Sequence, residues 1–217
     1  MLGAVRSWPR RVRDSFKQEG PWRTSLRALT APAYQAVMIT SQPLELERFE
    51  QPASVTVRAA SLDDIDALVR LRREYKRSAL ESRFRRGHRC YVSIVEGKVV
   101  ACRWGCTREV ILGKVPLMLP LQDDEACIYE VYNDPRHRGG GIGHAAYHAL
   151  KGAMLKENCS KMVGYVTPGR RPWGEDNPHC VAGVQTLRLG PFRKFWVRTY
   201  GPQAEYWRER LKELRWA

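Results

Sequence analysis

The residues between Arg136 and Lys156, RHRGGGIGHAAYHALKGAMLK, combine a dense glycine cluster with a helix-like pattern. Four of the five residues from Gly139 to Gly143 are glycine. Each glycine loses more conformational freedom on folding than any other residue, so such a cluster indicates a place where something approaches the backbone closely. The N-terminus of a helix has free N–H groups and a partial positive charge, and both favour a phosphate group. The pattern therefore predicts a phosphate-binding loop that leads into a helix.

Two common phosphate-binding motifs do not fit this stretch. A Walker loop needs Gly-Lys-Ser/Thr after its glycines, whereas this chain has Gly143-His144-Ala145. Residues 141–146 fit the GxGxxA pattern of a dinucleotide site, in which the glycines directly follow a strand and an acidic residue ends the next strand. Here Asn133 to Arg138 intervene, and no carboxylate follows the next predicted strand until Glu175.

A wider match surrounds the glycines. Arg138 to Gly143 follow the pattern R-x-x-G-x-G, behind a predicted strand and the dipeptide Asp134-Pro135. This loop resembles the pyrophosphate loop of the GNAT superfamily, whose members transfer acyl groups from acyl-coenzyme A (acyl-CoA). Ile128 to Gly143, IYEVYNDPRHRGGGIG, is similar to motif A of that superfamily along its whole length. The order of the predicted elements from Ser54 to about Tyr200 is also similar, so the resemblance covers most of the chain beyond residue 53.

The resemblance implies a fold and a donor. The fold is α/β (α+β), with a mixed, mostly antiparallel central sheet, two splayed strands and helices on both faces. The co-substrate is acetyl-CoA or another acyl-CoA, with no metal. Its pyrophosphate is expected on the loop backbone, and its pantetheine in the gap between the preceding strand and residues 164–166. The residues that the resemblance assigns to the cofactor are Val131, Tyr132, Asn133, Arg138, Gly139, Gly140, Gly141, Ile142 and Gly143.

The resemblance also suggests residues for catalysis. Glu130 stands where many members have an acidic base, and a dry cleft is expected to raise the pKa of its carboxyl. The alternative is an ion pair between Glu130 and a nearby arginine. A tyrosine is the usual acid that protonates the leaving thiolate, but Thr186 stands at its place in the pattern N-x-x-A-x-x-x-Y-x-x-x-G. Tyr165 is our candidate for this role, and Tyr200 and Cys180 are the alternatives.

The same pattern suggests two further cofactor residues on a predicted helix from Asn177 to Leu189. Counting back from Gly190 puts His179 at the asparagine of the pattern. Asn177 precedes it by about half a helical turn and is a substitute for the missing asparagine. We therefore expect Asn177 and His179 to contact the cofactor.

The elements that position these residues are predicted from hydrophobic periodicity and turn signals. Residues 1–53 are expected to form a basic N-terminal helical extension, and residues 54–217 the acyltransferase domain. In the domain, SVTVRAA alternates like a strand, and Ser61 begins a helix with Asp63 and Asp64 in its first turn. The other predictions are helices at 75–86, 141–157, 177–189 and 203–215, a hairpin turning at Glu96-Gly97, a loop at VPLMLPLQ, and strands at CIYEVY, KMVGYVTP and FRKFWVRTY.

The charge balance indicates an anionic partner. The chain has 37 Lys and Arg residues against 23 Asp and Glu residues, a net charge of +14. Nine of the basic residues and only two acidic ones fall between Arg70 and Arg89, in helices that line the acceptor side of the cleft in the superfamily. Because arginine forks suit carboxylates and phosphates, we expect an anionic acceptor: a nucleotide-linked amino sugar, a carboxylated amine or a phosphorylated lipid intermediate. The alternative is a solvated helix face.

Other partners are constrained less tightly. No nucleic-acid-binding motif is present, so nucleic acid is not expected as a partner. The basic residues 1–43 leave open a peripheral membrane contact, and a homodimer is also left open. We expect no membrane span and no signal peptide, and the six cysteines form no CxxC pair, which favours a cytoplasmic protein with free thiols. His144 and His148 have the i, i+4 spacing of a metal-binding pair, but no third ligand is evident.

The combined expectation is an N-acyltransferase that moves an acetyl or other acyl group from acyl-CoA to a small-molecule amine. One alternative takes its acyl group from an acyl carrier protein, whose acidic surface also suits the basic charge. Another is a non-catalytic protein of the same fold that binds CoA or a partner.

Overall fold

The computed structural model of the protein describes residues 34–113, 115–166, 178–189 and 192–217. Its strands are β1 (Tyr34–Pro43), β2 (Thr56–Ala59), β3 (Arg89–Val95), β4 (Lys98–Cys106), β5 (Glu109–Ile111), β6 (Leu117–Pro120), β7 (Glu125–Asn133), β8 (Lys161–Val166), β9 (Cys180–Leu189), β10 (Phe192–Thr199) and β11 (Arg215–Trp216). Its helices are α1 (Ile65–Leu71), α2 (Arg77–Arg85), α3 (Ile142–Leu155) and α4 (Ala204–Arg210), with short 3-10 helices at Leu62–Asp64, Pro135–His137 and Leu211–Glu213.

Eight strands form the main sheet, in the order β10-β9-β1-β8-β7-β4-β3-β2. Strands β7 and β8 are parallel, and the other neighbouring pairs are antiparallel. One face of the sheet packs against α1, α2 and α4 around buried Trp104, and the other packs against Leu150 and Met154 of α3. The predicted mixed, mostly antiparallel sheet with helices on both faces is therefore confirmed. No helix in the described ranges is long and apolar enough to cross a membrane.

Local sequence signals explain several of these elements. The Ser61 hydroxyl accepts a hydrogen bond from the Asp63 backbone at 3.2 Å, and the Asp64 carboxylate accepts one from the Ser61 backbone at 2.9 Å. This reciprocal capping box starts the 3-10 turn that leads into α1, as predicted. Glu96 and Gly97 connect β3 to β4 with φ angles of 49° and 73°, the left-handed pair that a tight hairpin turn requires.

A second, three-stranded sheet in the order β11-β6-β5 includes part of the stretch predicted as a loop. That prediction is wrong for β6, in which Leu117 and Leu119 are fully buried and alternate with half-buried neighbours. Apolar alternation over only four residues between prolines is a weak signal in sequence, and pairing with β5 and β11 stabilises it as a strand.

The predicted helix at 177–189 is also wrong where the structure describes it, because Cys180–Leu189 is strand β9. This strand is paired on both sides, with β1 and with β10. Its β-branched Val181, Val184 and Thr186 suit a buried strand, and its pairing with distant segments outweighs the helical spacing that the sequence also permits.

The division at residue 53 does not coincide with an edge of the sheet. Strand β1, which we had assigned to the helical extension, lies between β8 and β9 inside the main sheet. Its Val37 and Ile39 are almost fully buried. The predicted helices of residues 1–33 lie outside the described residues.

Candidate active site

The glycine loop connects the end of β7 to α3 through the 3-10 turn at Pro135–His137. Gly139, Gly140 and Gly141 have φ angles of 96°, 55° and 73°, which side chains rarely adopt. A Cβ atom on Gly139 or Gly140 would meet nothing within 4 Å, so a ligand can approach this backbone closely. Arg138 beside them is exposed.

Gly143 is required for a different reason. A Cβ atom at this position would lie 2.2 Å from Nη2 of Arg103 and 2.3 Å from Oδ1 of Asn133. The hydroxyl of buried Ser93 also donates a hydrogen bond of 2.6 Å to the carbonyl of Ile142. The last glycine of the motif therefore allows the start of α3 to sit directly on the sheet.

The strands next to the loop separate in the way that the resemblance implied. Strand β7 pairs with β8 only through residues 125–127 and 161–163. Beyond these residues β8 continues its pairing with β1 as far as Val166, whereas the corresponding part of β7 pairs only with β4. A wedge therefore opens between residues 128–133 and 164–166, with free backbone on its edges. An extended chain such as pantetheine fits a gap of this kind.

A β-bulge lies within the wedge, at Glu130. Cys102 of β4 faces Tyr132 and Trp104 faces Tyr129, so two residues of β7 bulge opposite one residue of β4. Glu130 has a φ of 49°, and Val131 after it is 59% exposed. Bulges of this kind re-aim side chains next to functional sites.

The carboxylate of Glu130 is paired with arginines. Its Oε2 lies 3.1 Å from Nη1 of Arg83 and 3.7 Å from Nη1 of Arg72. Burial raises the pKa of Glu130, but the hydrogen bond and charge of Arg83, with Tyr75 and Arg72, outweigh burial and hold the pKa below its usual value. The expected upward shift of the pKa is therefore wrong, because the cleft excludes water from the carboxylate but also places arginine cations beside it.

Aromatic rings hold both arginines in place. The Arg83 guanidinium lies 5.2 to 5.7 Å from the ring centroids of Tyr75, Trp104 and Tyr129. The Arg72 guanidinium lies 5.2 Å from the ring of Tyr75 and 5.3 Å from that of Tyr132. Tyr75 was not predicted as a site residue. Its position among the arginines at 70–77 is the sequence feature that indicates a cation–π contact.

Glu130 and Tyr165 line one cavity of about 380 Å³, on the side of the bulge where α2 ends. Burial raises the pKa of the Tyr165 phenol well above its usual value, so the group is protonated at neutral pH. The small sheet contributes the apolar Val110, Ile111 and Met118 to the lining, together with Glu109. The other lining residues are Arg83, Arg86, His88, Gly113 and Tyr129.

His88 and Arg86 are two polar groups of this cavity with different electrostatics. Burial, together with the charges of Arg86 and Arg83, lowers the pKa of His88 to about 4, and its Nδ1 is hydrogen-bonded to the hydroxyl of Tyr129. His88 is therefore neutral at pH 7. Arg86 is exposed and has no carboxylate partner within the described part of the chain.

Several predicted residues lie elsewhere. Asn177 is outside the described residues, and His179 precedes a strand rather than standing on a helix, so the helical spacing no longer supports its predicted role. The backbone of Ser41 donates a hydrogen bond to the His179 carbonyl at 2.9 Å. Tyr200 approaches Gly183 of β9, and Cys180 begins that strand. Neither lines the cavity.

The paired histidines of α3 contact a segment that follows β1. The Phe49 ring lies 4.6 Å from that of His144 and 5.4 Å from that of His148. Nε2 of His148 lies 3.0 Å from the carbonyl oxygen of Glu47. The described residues contain no group of three His, Cys, Asp or Glu side chains that could hold a metal. All six cysteines are free and buried.

Residues 57–172 match the model of the acetyltransferase (GNAT) family. A ribosomal-protein-alanine N-acetyltransferase from Brucella melitensis biovar Abortus 2308 is 17% identical over 54% of this chain and 82% of its own, with a TM-score of 0.40. A GCN5-related N-acetyltransferase from Kribbella flavida is 17% identical over 76% and 63%, with a TM-score of 0.48. An aminoglycoside acetyltransferase from an uncultured soil metagenomic sample is 14% identical over 55% and 82%, with a TM-score of 0.42. No curated protein matches the sequence.

Proposed function

This chain belongs to the acetyltransferase (GNAT) family, and we propose that it moves an acetyl or other acyl group from acyl-CoA to an amine that also carries a negative charge. The family supplies the acyl transfer and the co-substrate acetyl-CoA. The observation that carries the acceptor proposal is a cavity that contains Glu130, Tyr165 and Arg86, which has no carboxylate partner among the described residues. The acyltransferase domain on this proposal begins no later than Tyr34, because β1 belongs to the main sheet.

We propose two binding regions for the donor, and both follow the bulge along the chain. We assign its pyrophosphate to the backbone of Gly139 and Gly140 and to the N-terminus of α3, with Arg138 beside them. We assign its pantetheine to the free edge of Val131, Tyr132 and Asn133. The thioester then reaches the bulge at Glu130, where the cavity begins.

The reaction needs one proton acceptor and one proton donor. The amine nitrogen attacks the acyl carbon, the C–S bond breaks, and the proton of the amine passes to Glu130 directly or through water. The thiolate takes a proton from the phenol of Tyr165. The low pKa of Glu130 makes it a weak base but keeps it ionised, so it also attracts the ammonium form of the acceptor. That form loses its first proton to water, and the neutral amine then attacks.

The charge of the acceptor is argued from Arg86 rather than from Arg83. Arg83 is already engaged by Glu130 and by three aromatic rings. Arg86 lines the same cavity, and no carboxylate in the described ranges pairs with its guanidinium. An arginine fork binds a carboxylate or phosphate in a bidentate manner. The apolar residues Val110, Ile111 and Met118 suit an apolar portion between the two charges. Among the acceptors predicted from sequence, a carboxylated amine fits these features most simply.

The test compares two acceptors in the wild type and in Arg86→Gln. 6-Aminohexanoate and pentylamine differ only by the carboxylate, which an apolar chain separates from the amine in the first, and thiol release from acetyl-CoA reports on both. We expect wild type to prefer the carboxylated amine by about tenfold or more in kcat/KM, the scale of one charge-assisted hydrogen-bonded pair. We expect Arg86→Gln to lose this preference through a higher KM.

Arg85→Gln is the matched control. Arg85 is the neighbouring residue and carries the same charge, but it pairs with Glu81 and does not line the cavity. A preference that survives in Arg86→Gln, or that falls equally in Arg85→Gln, would contradict the assignment of Arg86.

A further inference from the structure

Arg103 of β4 is a buried cation without a carboxylate partner. Only 4% of the residue is exposed. Its guanidinium donates hydrogen bonds to three neutral oxygens: the Cys102 carbonyl at 2.7 Å, the Tyr132 carbonyl at 2.9 Å and Oδ1 of Asn133 at 2.7 Å. Its Nε–H is buried and has no acceptor within the described ranges. None of the carboxylates described forms an ion pair with it.

A second buried arginine shows that this arrangement is unusual in the chain. Arg210 is 5% exposed, but it forms ion pairs with Glu125, at 3.1 Å, and with Glu213. Burial of an unpaired charge is strongly unfavourable, so buried charges normally have a counter-ion. Burial lowers the pKa of Arg103, yet a guanidinium remains charged at neutral pH. The described residues supply no counter-ion for Arg103, and a bound anion can provide one.

The position of Arg103 indicates where that counter-ion binds. Its Nη2 lies against Gly143 in the first turn of α3, two residues after Gly141 of the glycine loop. The free N–H groups of this turn and the helix dipole already give the place a positive potential. The unpaired cation adds to this potential instead of balancing it. Such an arrangement is stabilised when an anion occupies the loop.

We propose that Arg103 is the buried counter-charge of the donor's pyrophosphate, and that it makes the enzyme select donors carrying this charge over the bare pantetheine arm. This inference rests on the proposed assignment of the loop to acyl-CoA. Arg103 is an affinity residue, since its guanidinium contacts the first turn of α3 and the carbonyl of Tyr132 and does not reach the reacting atoms.

The test uses two neutral variants and one charged variant of the full chain. Arg103→Met removes both charge and hydrogen bonds, Arg103→Gln removes the charge but keeps a donor for Tyr132, and Arg103→Lys keeps the charge. Calorimetry with CoA, inorganic pyrophosphate and pantetheine separates the phosphate contribution from the pantetheine contribution. We expect both neutral variants to lose about tenfold to a hundredfold in affinity for CoA and pyrophosphate, the scale of one charge about 6 to 12 Å away at an effective dielectric of about 20.

Pantetheine affinity should be unchanged in the two neutral variants, and Arg103→Lys should retain most of the affinity for CoA. The slope of log Kd against log salt concentration should also become shallower without the charge. A purely structural role predicts the opposite pattern, in which Arg103→Gln behaves like wild type and Arg103→Met weakens the binding of pantetheine as much as that of CoA.

Arg136→Met is the control for a nearby exposed charge, because Arg136 is paired with Asp134 at 3.0 Å. We expect it to bind CoA like wild type.

Wild-type protein gives an independent test that requires no variant to fold. Pyrophosphate alone should raise its thermal unfolding temperature, whereas pantetheine should raise it little. Absence of stabilisation by pyrophosphate, or unaltered CoA affinity in folded neutral variants, would overturn the role of Arg103. If wild type does not bind CoA at all, the assignment of the donor fails instead.

Discussion

The proposed donor side and the proposed acceptor side of this molecule offer different kinds of chemical group to a ligand. On the donor side, the groups offered to a ligand are backbone groups: the left-handed Gly139 and Gly140, the first turn of α3 and the unpaired edge of β7. On the acceptor side they are side chains, and several of them are engaged with each other. Arg72 and Arg83 hold Glu130 and are themselves held by aromatic rings.

This difference determines how each side can change. A backbone site depends on glycine and on strand geometry, so it tolerates few substitutions and recognises a constant portion of a ligand. A site of side chains can acquire new specificity through a single replacement, because its charges and shape are carried by individual residues. On the proposed assignment, the donor side accounts for the chemistry common to the family, and the acceptor side for what distinguishes this chain.

The largest expected effect on the acceptor side is that of Glu130→Gln. The change keeps the shape of the side chain and removes the proton acceptor, so we expect kcat to fall about 10² to 10⁴-fold with CoA affinity preserved. Because the pKa of Glu130 lies below its usual value, the carboxylate is ionised at neutral pH. The contribution of ionised Glu130 to the kcat/KM of wild type should therefore stay constant down to about pH 4.3, the usual pKa of glutamate. It should fall only below that pH.

Glu109→Gln is the matched control for this prediction. Glu109 is the other carboxylate of the cavity, but it is paired with Arg215 on the small sheet. We expect steady-state rates close to those of wild type. Equal losses in the two variants would mean that the charge of the cavity matters and that Glu130 has no special part in proton transfer.

On the donor side, Gly140→Asp should abolish most of the CoA binding. An aspartate there places a negative charge where the pyrophosphate is expected, and like charges in contact weaken binding by about 10²-fold or more. Gly97→Asp is matched in backbone strain, because both glycines have a positive φ and open space around them. Calorimetry should show normal CoA affinity in Gly97→Asp. Similar losses in both variants would point to general destabilisation.

A smaller effect is expected for Tyr165→Phe. A thiolate is a stable leaving group, so the loss of its proton donor should lower kcat by about tenfold, below the usual range for general acids. Tyr200→Phe removes the same hydroxyl outside the cavity and should leave kcat unchanged. A larger loss in Tyr200→Phe than in Tyr165→Phe would transfer the role to Tyr200.

The parts of the fold that follow from the sequence are those specified by local patterns. The capping box at Ser61, the turn at Glu96-Gly97 and the helix after the glycines each depend on residues within a few positions of one another. The splayed strands and the arrangement of the sheet were predicted from the family resemblance and not from local patterns. The function of Gly143 in packing could not be predicted, because Arg103 contacts it from a strand far away in sequence.

The remaining errors have the same physical cause. Strands β1 and β9 pair across most of the chain, and the hydroxyl of Thr186 lies 3.5 Å from the carbonyl of Gln35, 151 positions away. The local sequence pattern of neither strand indicates which distant strand it pairs with. The low pKa of Glu130 likewise depends on Arg83, 47 positions away, and so requires the folded structure.

Acceptor-dependent release of thiol from acetyl-CoA, with the N-acetylated product identified by mass spectrometry, tests the proposed acyl transfer most directly. We expect release in proportion to product when a carboxylated amine is added to wild type, and little release in Glu130→Gln. CoA binding without acceptor-dependent release, across amines with and without negative charge, would contradict the proposed transfer and identify the protein as a non-catalytic CoA-binding member of the family.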